Sequence, residues 1–218
     1  MVLKVAFLDC DGTLTKVKSS WEYIHRRLNI WNDMADEYQR LFRAGMITYQ
    51  EFCERDAILW KAMPLERLWD IIQEIEYQDY AREFVEFLKS INVYTVIVST
   101  GISAVVEKVK RELGIDMALS NELLSHNGYL TGETKIHVEY NKKDMVIKEI
   151  LKGLGFNKSH AFAVGDGEGD GGLFESVGVG IRLVDNMESI EETGGIINCN
   201  SLYHAKIFLE RYIKKEMI

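Results

Sequence analysis

Apolar residues recur along this chain in short, dense runs rather than in strict alternation. VAFLD (5–9), VYTVIVS (93–99), HAFAVGD (160–166), GVGIRLV (178–184) and GIINCN (195–200) each have the length of one strand. They are too continuous for strands with one face in water, and read as strands buried on both sides. Between them the period changes. SAVVEKVKRELG and DMVIKEILKGLG space their apolar residues three and four apart and stop on Gly114 and Gly155, the pattern of amphipathic helices with glycine C-termini. Apolar strands alternating with such helices predict an α/β fold: a doubly wound, Rossmann-like parallel sheet covered on both faces.

Two segments break the alternation. Residues 16–79 carry several helical patterns and no convincing strand, and they hold Trp21, Trp31, Trp60, Trp69 and the only proline, Pro64. Ser19 and Glu22 have the spacing of a capping box, which predicts a helix starting near Ser19 or Ser20. The segment reads as a small helical bundle inserted after the first strand, its aromatic residues forming the bundle's own core. The predicted organisation is therefore an α/β core of residues 1–15 and 80–218 and a helical cap of residues 16–79. In residues 118–139, Asn127-Gly128 between two apolar stretches predicts a hairpin.

Composition narrows the function classes. The chain has 218 residues, 47% apolar and 28% charged, enough for one domain with a substantial insert. A net charge of −8, from 34 acidic and 26 basic residues, argues against a nucleic-acid partner, because non-specific affinity for nucleic acid comes from neutralising phosphates with Lys and Arg. Cys10, Cys53 and Cys199 form neither a zinc pattern nor a disulfide framework, and suit a reducing compartment. The first residues enter a strand-like run without a signal-peptide pattern, and no apolar stretch approaches the ~20 residues that span a bilayer. The expectation is a soluble, cytoplasmic protein with no membrane partner. The sequence carries no signal for oligomeric state.

Candidate chemistry sits where apolar runs end. In VLKVAFLDCDGTLT (2–15) a buried strand stops in Asp9 and Asp11, and Gly12 then allows a sharp exit. Burying such charges without a partner is costly. Residues two apart on a strand share a side, so both acids can face one site, while Cys10 points away into the core. VIVSTGIS (96–103) ends in Ser99, Thr100 and Gly101 before a helix, where hydroxyls and free amides can cradle phosphate. AVGDGEGDGGLF (163–174) adds Asp166 and Asp170 in a glycine-rich loop, and NKKDMV (141–146) places Lys142 and Lys143 at a helix start. In open parallel sheets, ligands bind beyond the carboxyl ends of the strands. Three or four acids there suit a hard cation with oxygen ligands, Mg²⁺ beside phosphate, and a carboxylate can itself attack phosphorus.

The combination resembles the haloacid dehalogenase superfamily. Asp9-Cys10-Asp11-Gly12-Thr13-Leu14-Thr15 is similar to its first motif, Ser99-Thr100-Gly101 to its second, Lys143 to its third, and Gly165-Asp166 with Asp170 to its fourth. A helical insert directly after the first motif, and the hairpin near Asn127-Gly128, resemble the branch that includes phosphoserine phosphatase. The resemblance implies a Mg²⁺-dependent phosphatase that hydrolyses a small-molecule phosphomonoester through an aspartyl-phosphate. Asp9 would be the nucleophile and Asp11 the general acid, with Ser99 and Lys143 on the phosphoryl oxygens together with Thr100 and Gly101. Asp9, the main-chain carbonyl of Asp11 and Asp166 would hold the metal, supported by Asp170. An acid at position 11 favours phosphatase over dehalogenase, since halide leaves without a proton. A phosphomutase, or a non-catalytic phosphate-sensing module on the same fold, is the alternative.

Two positions depart from the resemblance. Gly169 stands where the family often has Asn. Lys18 and Asp56 stand where phosphoserine phosphatases carry a glutamate for the amino group and an arginine for the carboxylate. With Lys16 and Lys18 as candidate substrate contacts, the expected substrate is a phosphate ester other than phosphoserine, carrying further negative charge or several oxygens.

Overall fold

The computed structural model describes residues 3–216 apart from 32 and 188. Its strands are β1 (Val5–Leu8), β2 (Tyr94–Ile102), β3 (Met117–His126), β4 (Tyr129–Lys135), β5 (Ala161–Gly165), β6 (Val179–Leu183), β7 (Glu191–Thr193) and β8 (Ile196–Cys199). They form one sheet in the order β4-β3-β2-β1-β5-β6-β8-β7. β1 is central and pairs in parallel with β2 and β5, in register Leu8 to Ile97 and Leu8 to Val164. The outermost strands, β4 and β7, run antiparallel to their neighbours.

Alternation along the central strands sends side chains to two separate clusters. Val5, Phe7, Val96, Val98, Ala161 and Ala163 pack on one face, against Ile147 and Leu151. Ala6, Leu8, Ile97, Phe162 and Val164 pack on the other, with Phe84, Leu88, Val105 and Val109. Both faces are dry, which is why these strands read as unbroken apolar runs. The sheet is the doubly wound one that the alternation predicts. Its covering helices include α5 (Ala81–Ser90), α6 (Ser103–Leu113), α7 (Lys143–Leu154), the short α8 (Gly171–Glu175) and α9 (Leu202–Glu216). α6 and α7 end on Gly114 and Gly155 in the left-handed conformation, the C-caps expected of them. Asn127 and Gly128 both have positive φ and close the β3–β4 hairpin.

Between β1 and α5 lie α1 (Ser20–Arg27), α2 (Asp33–Arg43), α3 (Tyr49–Ile58) and α4 (Leu65–Gln73). Ser19 caps α1, its hydroxyl accepting from the Glu22 N–H, and the reciprocal capping box is at α3, between Thr48 and Glu51. The aromatic residues of this insert do not form a core of their own. Trp21, Ile24, Cys53, Ala57, Trp60 and Leu68 belong to the same buried cluster as Leu8, Leu14 and Ile97, and Trp69 is exposed. The physical reason is that the rim of the sheet offers an apolar surface continuous with the insert's own, so both are covered at once. β7 was not legible: Glu-Glu-Thr at an exposed edge carries no apolar signal.

Candidate active site

The site lies beyond the carboxyl ends of β1, β2 and β5, where the chain leaves the sheet. Asp9 continues the side of β1 that holds Val5 and Phe7, facing α7, and its main-chain N–H still donates to the Val164 carbonyl. Lys143 opens α7 and points inward under the strand ends. Its Nζ donates to Asp9 Oδ1 and to Asp170 Oδ1, each at 2.6 Å, and the residue is 2% exposed. A lysine at a helix start is usually solvated, but here it is the buried counter-ion of two carboxylates. These two carboxylates hold the Lys143 ammonium charged despite its burial, raising its pKa above the ordinary value.

Asp170 is fixed from its other oxygen. Oδ2 accepts from the main-chain N–H groups of Asp166 (3.1 Å) and Gly167 (3.0 Å), closing the glycine-rich turn around the carboxylate. Asp166 is held by the Thr13 hydroxyl at 3.4 Å and by Lys18 Nζ at 2.9 Å. Two glycines are required by close approach. A Cβ at Gly12, whose φ is +77°, would fall on the Asp166 carboxylate, and one at Gly165 would meet Asp170 Oδ2 at 2.5 Å. Gly169 packs against Tyr140, with an added Cβ 2.9 Å from the ring, so a longer side chain there would have to displace it.

Asp11 is held differently from Asp9. Its Oδ2 accepts from the Ser20 main-chain N–H at 2.6 Å, at the start of α1, while Oδ1 is buried with no hydrogen-bond partner among the described residues. Burial raises the pKa of Asp11, and its hydrogen bonds to Ser20 oppose the rise. Burial also pushes Asp9 well up, against Lys143, and the neighbouring Asp170 and Asp166 push it further. One carboxylate oxygen from each of Asp9, Asp166 and Asp170 lies within 4.8 Å of the other two. Lys143 and Lys18 offset part of the charge these acids gather, and three hard oxygen donors this close fit a divalent ion of the Mg²⁺ kind.

The second strand end supplies the opposite wall. Ser99 is buried, its Oγ accepting from the Gly101 N–H at 3.0 Å. The Thr100 carbonyl accepts from Trp21 Nε1 (3.2 Å), Tyr49 Oη (2.9 Å) and Asn121 Nδ2 (3.0 Å). Two of those donors come from the helical insert, which is thereby latched to the last residues of β2. The cavity so enclosed is about 410 Å³ and is lined by Asp9, Asp11, Ser99, Thr100, Gly101, Lys143, Asp166 and Asp170 at its floor.

The candidate residues are therefore brought together, with one exception. Lys16 does not reach the cavity: its ammonium sits between Glu76 (3.5 Å) and Asp79 (3.1 Å) on the far side of the first loop. Lys18 does line the cavity, but its ammonium is engaged by Asp166 and, at 3.7 Å, by Asp185. Lys16 is thus engaged outside the cavity, and Lys18 is engaged at its rim. Sequence reasoning missed the insert's contribution. Trp21, Trp31, Phe42, Arg43, Tyr49 and Phe52 of the insert line the upper cavity with Tyr140 of the core, and no motif spacing marks them; only the concentration of tryptophans hints at it. No helix among the described residues is long and apolar enough to cross a membrane.

Comparison with known proteins agrees with this geometry. Residues 6–175 match the profile of the haloacid dehalogenase-like hydrolases. Over 181 residues the chain is 31% identical to a phosphoserine phosphatase of Archaeoglobus fulgidus, covering 83% of this chain and 52% of that protein, about half its length. It is equally 31% identical over 181 residues to a phosphoserine phosphatase of Methanocaldococcus jannaschii, covering 83% of this chain and 85% of that one. Among solved structures, a phospho-aspartyl intermediate analogue of phosphoserine phosphatase superposes with a TM-score of 0.73 at 27% identity, covering 84% of this chain and 87% of the other.

Proposed function

The chain belongs to the haloacid dehalogenase-like hydrolase family, in its phosphoserine-phosphatase-like branch, and from that premise we propose that it hydrolyses a small-molecule phosphomonoester through an aspartyl-phosphate on Asp9. The observation that carries this is the contrast between the two acids of the first loop. Asp9 is ion-paired with the buried Lys143 and shares an oxygen cluster with Asp166 and Asp170; Asp11 stands outside that cluster, with one oxygen on the Ser20 N–H and the other buried without a partner among the described residues, where it can hold a proton.

That contrast assigns the roles. An Asp9 carboxylate oxygen bonds to phosphorus as the bond from phosphorus to the alcohol oxygen breaks. Asp11 gives its proton to the departing alcohol. In the second half, Asp11 takes a proton from a water molecule, whose oxygen attacks phosphorus and frees Asp9 with inorganic phosphate. Ser99, Lys143 and the main-chain N–H groups after Thr100 would receive the phosphoryl oxygens, since phosphoryl transfer needs mainly positioning and charge neutralisation. Mg²⁺ held by Asp9, Asp166 and Asp170 would offset the negative charge gathered at the phosphoryl group. The latch from Trp21 and Tyr49 to Thr100 keeps the insert over the floor and keeps bulk water from the ester.

Phosphate release from an aryl phosphate, with and without Mg²⁺, tests the reading. Release that requires both Mg²⁺ and Asp9 supports it. A mutase would return the phosphoryl group to an isomeric product with little free phosphate.

A further inference from the structure

Tyr140 stands at one of the places where this chain departs from its family. Its ring lies against Gly169, in the loop that carries Asp166 and Asp170, and a Cβ at 169 would come within 2.9 Å of Cε2 and 3.3 Å of Cδ2. An asparagine at 169 would displace the ring, so the exchange to glycine and the position of the ring are one feature. The segment that carries the ring is pinned on both sides. Before it, the main-chain N–H groups of His137 and Val138 each donate to Asn121 Oδ1 at 2.9 Å. Asn121 is fully buried, and its Nδ2 donates to the Val138 and Thr100 carbonyls at 3.0 Å each. After it, Lys143 is fixed between Asp9 and Asp170. A ring held in this way keeps its place beside the reacting groups without help from a ligand.

From there the ring reaches the insert. Its centroid is 5.4 Å from that of Phe42, in T-shaped contact, and 6.3 Å from that of Tyr49, while Phe42 stacks on Phe52 at 5.2 Å. All four rings line the cavity together with Trp21 and Trp31. Trp21 Nε1 and Tyr49 Oη donate to the Thr100 carbonyl, which leaves ring carbon to face a ligand. Charge on this wall is mostly accounted for within the protein. Glu22 is engaged by Arg26 and Lys18 by Asp166, and burial pushes the pKa of Asp56 up to about 7, below which its carboxyl group is neutral. Arg43 is exposed to solvent. What remains suits a flat apolar group, because aromatic rings attract one another edge-to-face or offset at centroid separations of about 4.5–7 Å. A cavity of about 410 Å³ accommodates a phosphoryl group and one such ring.

We propose that the substrate is the phosphate monoester of an alcohol carrying a flat aromatic ring, which packs against Tyr140 and the rings of the insert, and that Tyr140, admitted by Gly169, sets this preference. An uncharged leaving group thus takes the place of the further negative charge expected from Lys16 and Lys18, since Lys16 lies outside the cavity and Lys18 pairs with Asp166. The inference rests on the phosphatase reading, because the phosphoryl group must occupy the Asp9 end of the same cavity.

Benzyl, cyclohexylmethyl and 2-hydroxyethyl phosphate separate an aromatic ring from mere bulk. All three release primary alcohols of similar acidity, so the chemical step is comparable among them. Phosphate release from them is compared with that from p-nitrophenyl phosphate, 2-aminoethyl phosphate and phosphoserine. The expected kcat/KM for the benzyl ester exceeds that for the 2-hydroxyethyl ester by about thirtyfold or more, and that for the cyclohexylmethyl ester by about threefold or more. In Tyr140→Ala and in Gly169→Asn the benzyl-to-hydroxyethyl ratio should fall by about fivefold or more, while Tyr140→Phe keeps it within about twofold. A wild-type ranking with the cyclohexylmethyl, hydroxyethyl, aminoethyl or serine ester at or above the benzyl ester overturns the inference whether or not a variant folds. So does a ratio that survives in folded Tyr140→Ala or Gly169→Asn, or one that Tyr140→Phe loses as fully as Tyr140→Ala. Release from p-nitrophenyl phosphate without benzyl preference sinks the inference alone. Absence of release from every ester removes the phosphatase reading and the inference with it.

Discussion

Asp56 makes the protein's stability depend on pH in a direction opposite to that of most acids. Burial pushes its carboxyl group from an ordinary 3.8 up to about 7 in the folded chain. A raised pKa means that between those two values the native state holds a proton the unfolded chain has lost. Stability therefore falls as pH rises through this window, and the whole cost is present above the folded pKa. At about 1.4 kcal/mol for each tenfold change in acidity, the rise from 3.8 to about 7 costs about 4 kcal/mol at pH 8, of which about 1.5 kcal/mol is already present at pH 5. Asparagine keeps the size and shape of the side chain but does not ionise. Asp56→Asn should thus gain about 2.5 kcal/mol relative to the parent between pH 5 and pH 8, or roughly 5–10 °C in Tm for a chain of this size. The assay is thermal or urea unfolding of both proteins at the two pH values without substrate, reading the difference of differences, so that other titrating groups cancel. A variant whose advantage is the same at both pH values, or larger at pH 5, would refute the reasoning, because it would mean Asp56 is ionised in the folded protein at ordinary cost.

Other perturbations have distinct signatures. Lys143→Ala leaves Asp9 and Asp170 buried without their counter-ion and should cost about 3–5 kcal/mol of stability in denaturant unfolding, in addition to activity. Gly12→Ala should fold with strain and lose phosphate release, because its Cβ would occupy the place of the Asp166 carboxylate; titration of activity with Mg²⁺ should show weakened half-saturation. Lys18→Ala removes a competitor for Asp166 and should lower the half-saturating Mg²⁺ concentration by up to about fivefold, the range of a partly exposed ion pair. Trp21→Phe loses the donor to the Thr100 carbonyl while keeping most of the ring, and should cost about 1 kcal/mol in unfolding and raise KM by loosening the insert.

Much of this architecture is written locally in the chain. Strands buried on both faces must be apolar throughout, so β1, β2, β5, β6 and β8 stand out as runs, and the acids terminating β1 and following β5 mark the functional edge by contrast. Gly114, Gly155 and Asn127-Gly128 are legible because backbone conformation dictates residue type there. What stayed hidden depends on long-range partners. Lys16 and Lys18 are two residues apart in a linker, yet one turns to Glu76 and Asp79 and the other to Asp166, choices made by residues far along the chain. Asp56 stands where the resemblance expects an arginine; His25, 31 positions away on another helix, lies against it, and only folding shows that Asp56 lines the cavity. The insert's tryptophans looked like a private core, because side-chain type alone does not say whether a ring packs on its own bundle, on the sheet's rim or along a cavity wall.

The central claim is that Asp9 carries the phosphoryl group. The most direct test is an acid quench of the protein turning over p-nitrophenyl phosphate with Mg²⁺, followed by intact-mass and peptide mapping. The account predicts one phosphoryl adduct, labile to hydroxylamine and located on the peptide containing Asp9, and its absence in Asp9→Asn together with a fall in phosphate release of at least about a thousandfold. Steady phosphate release with no trapped adduct, and with Asp9→Asn as active as the parent, would contradict it.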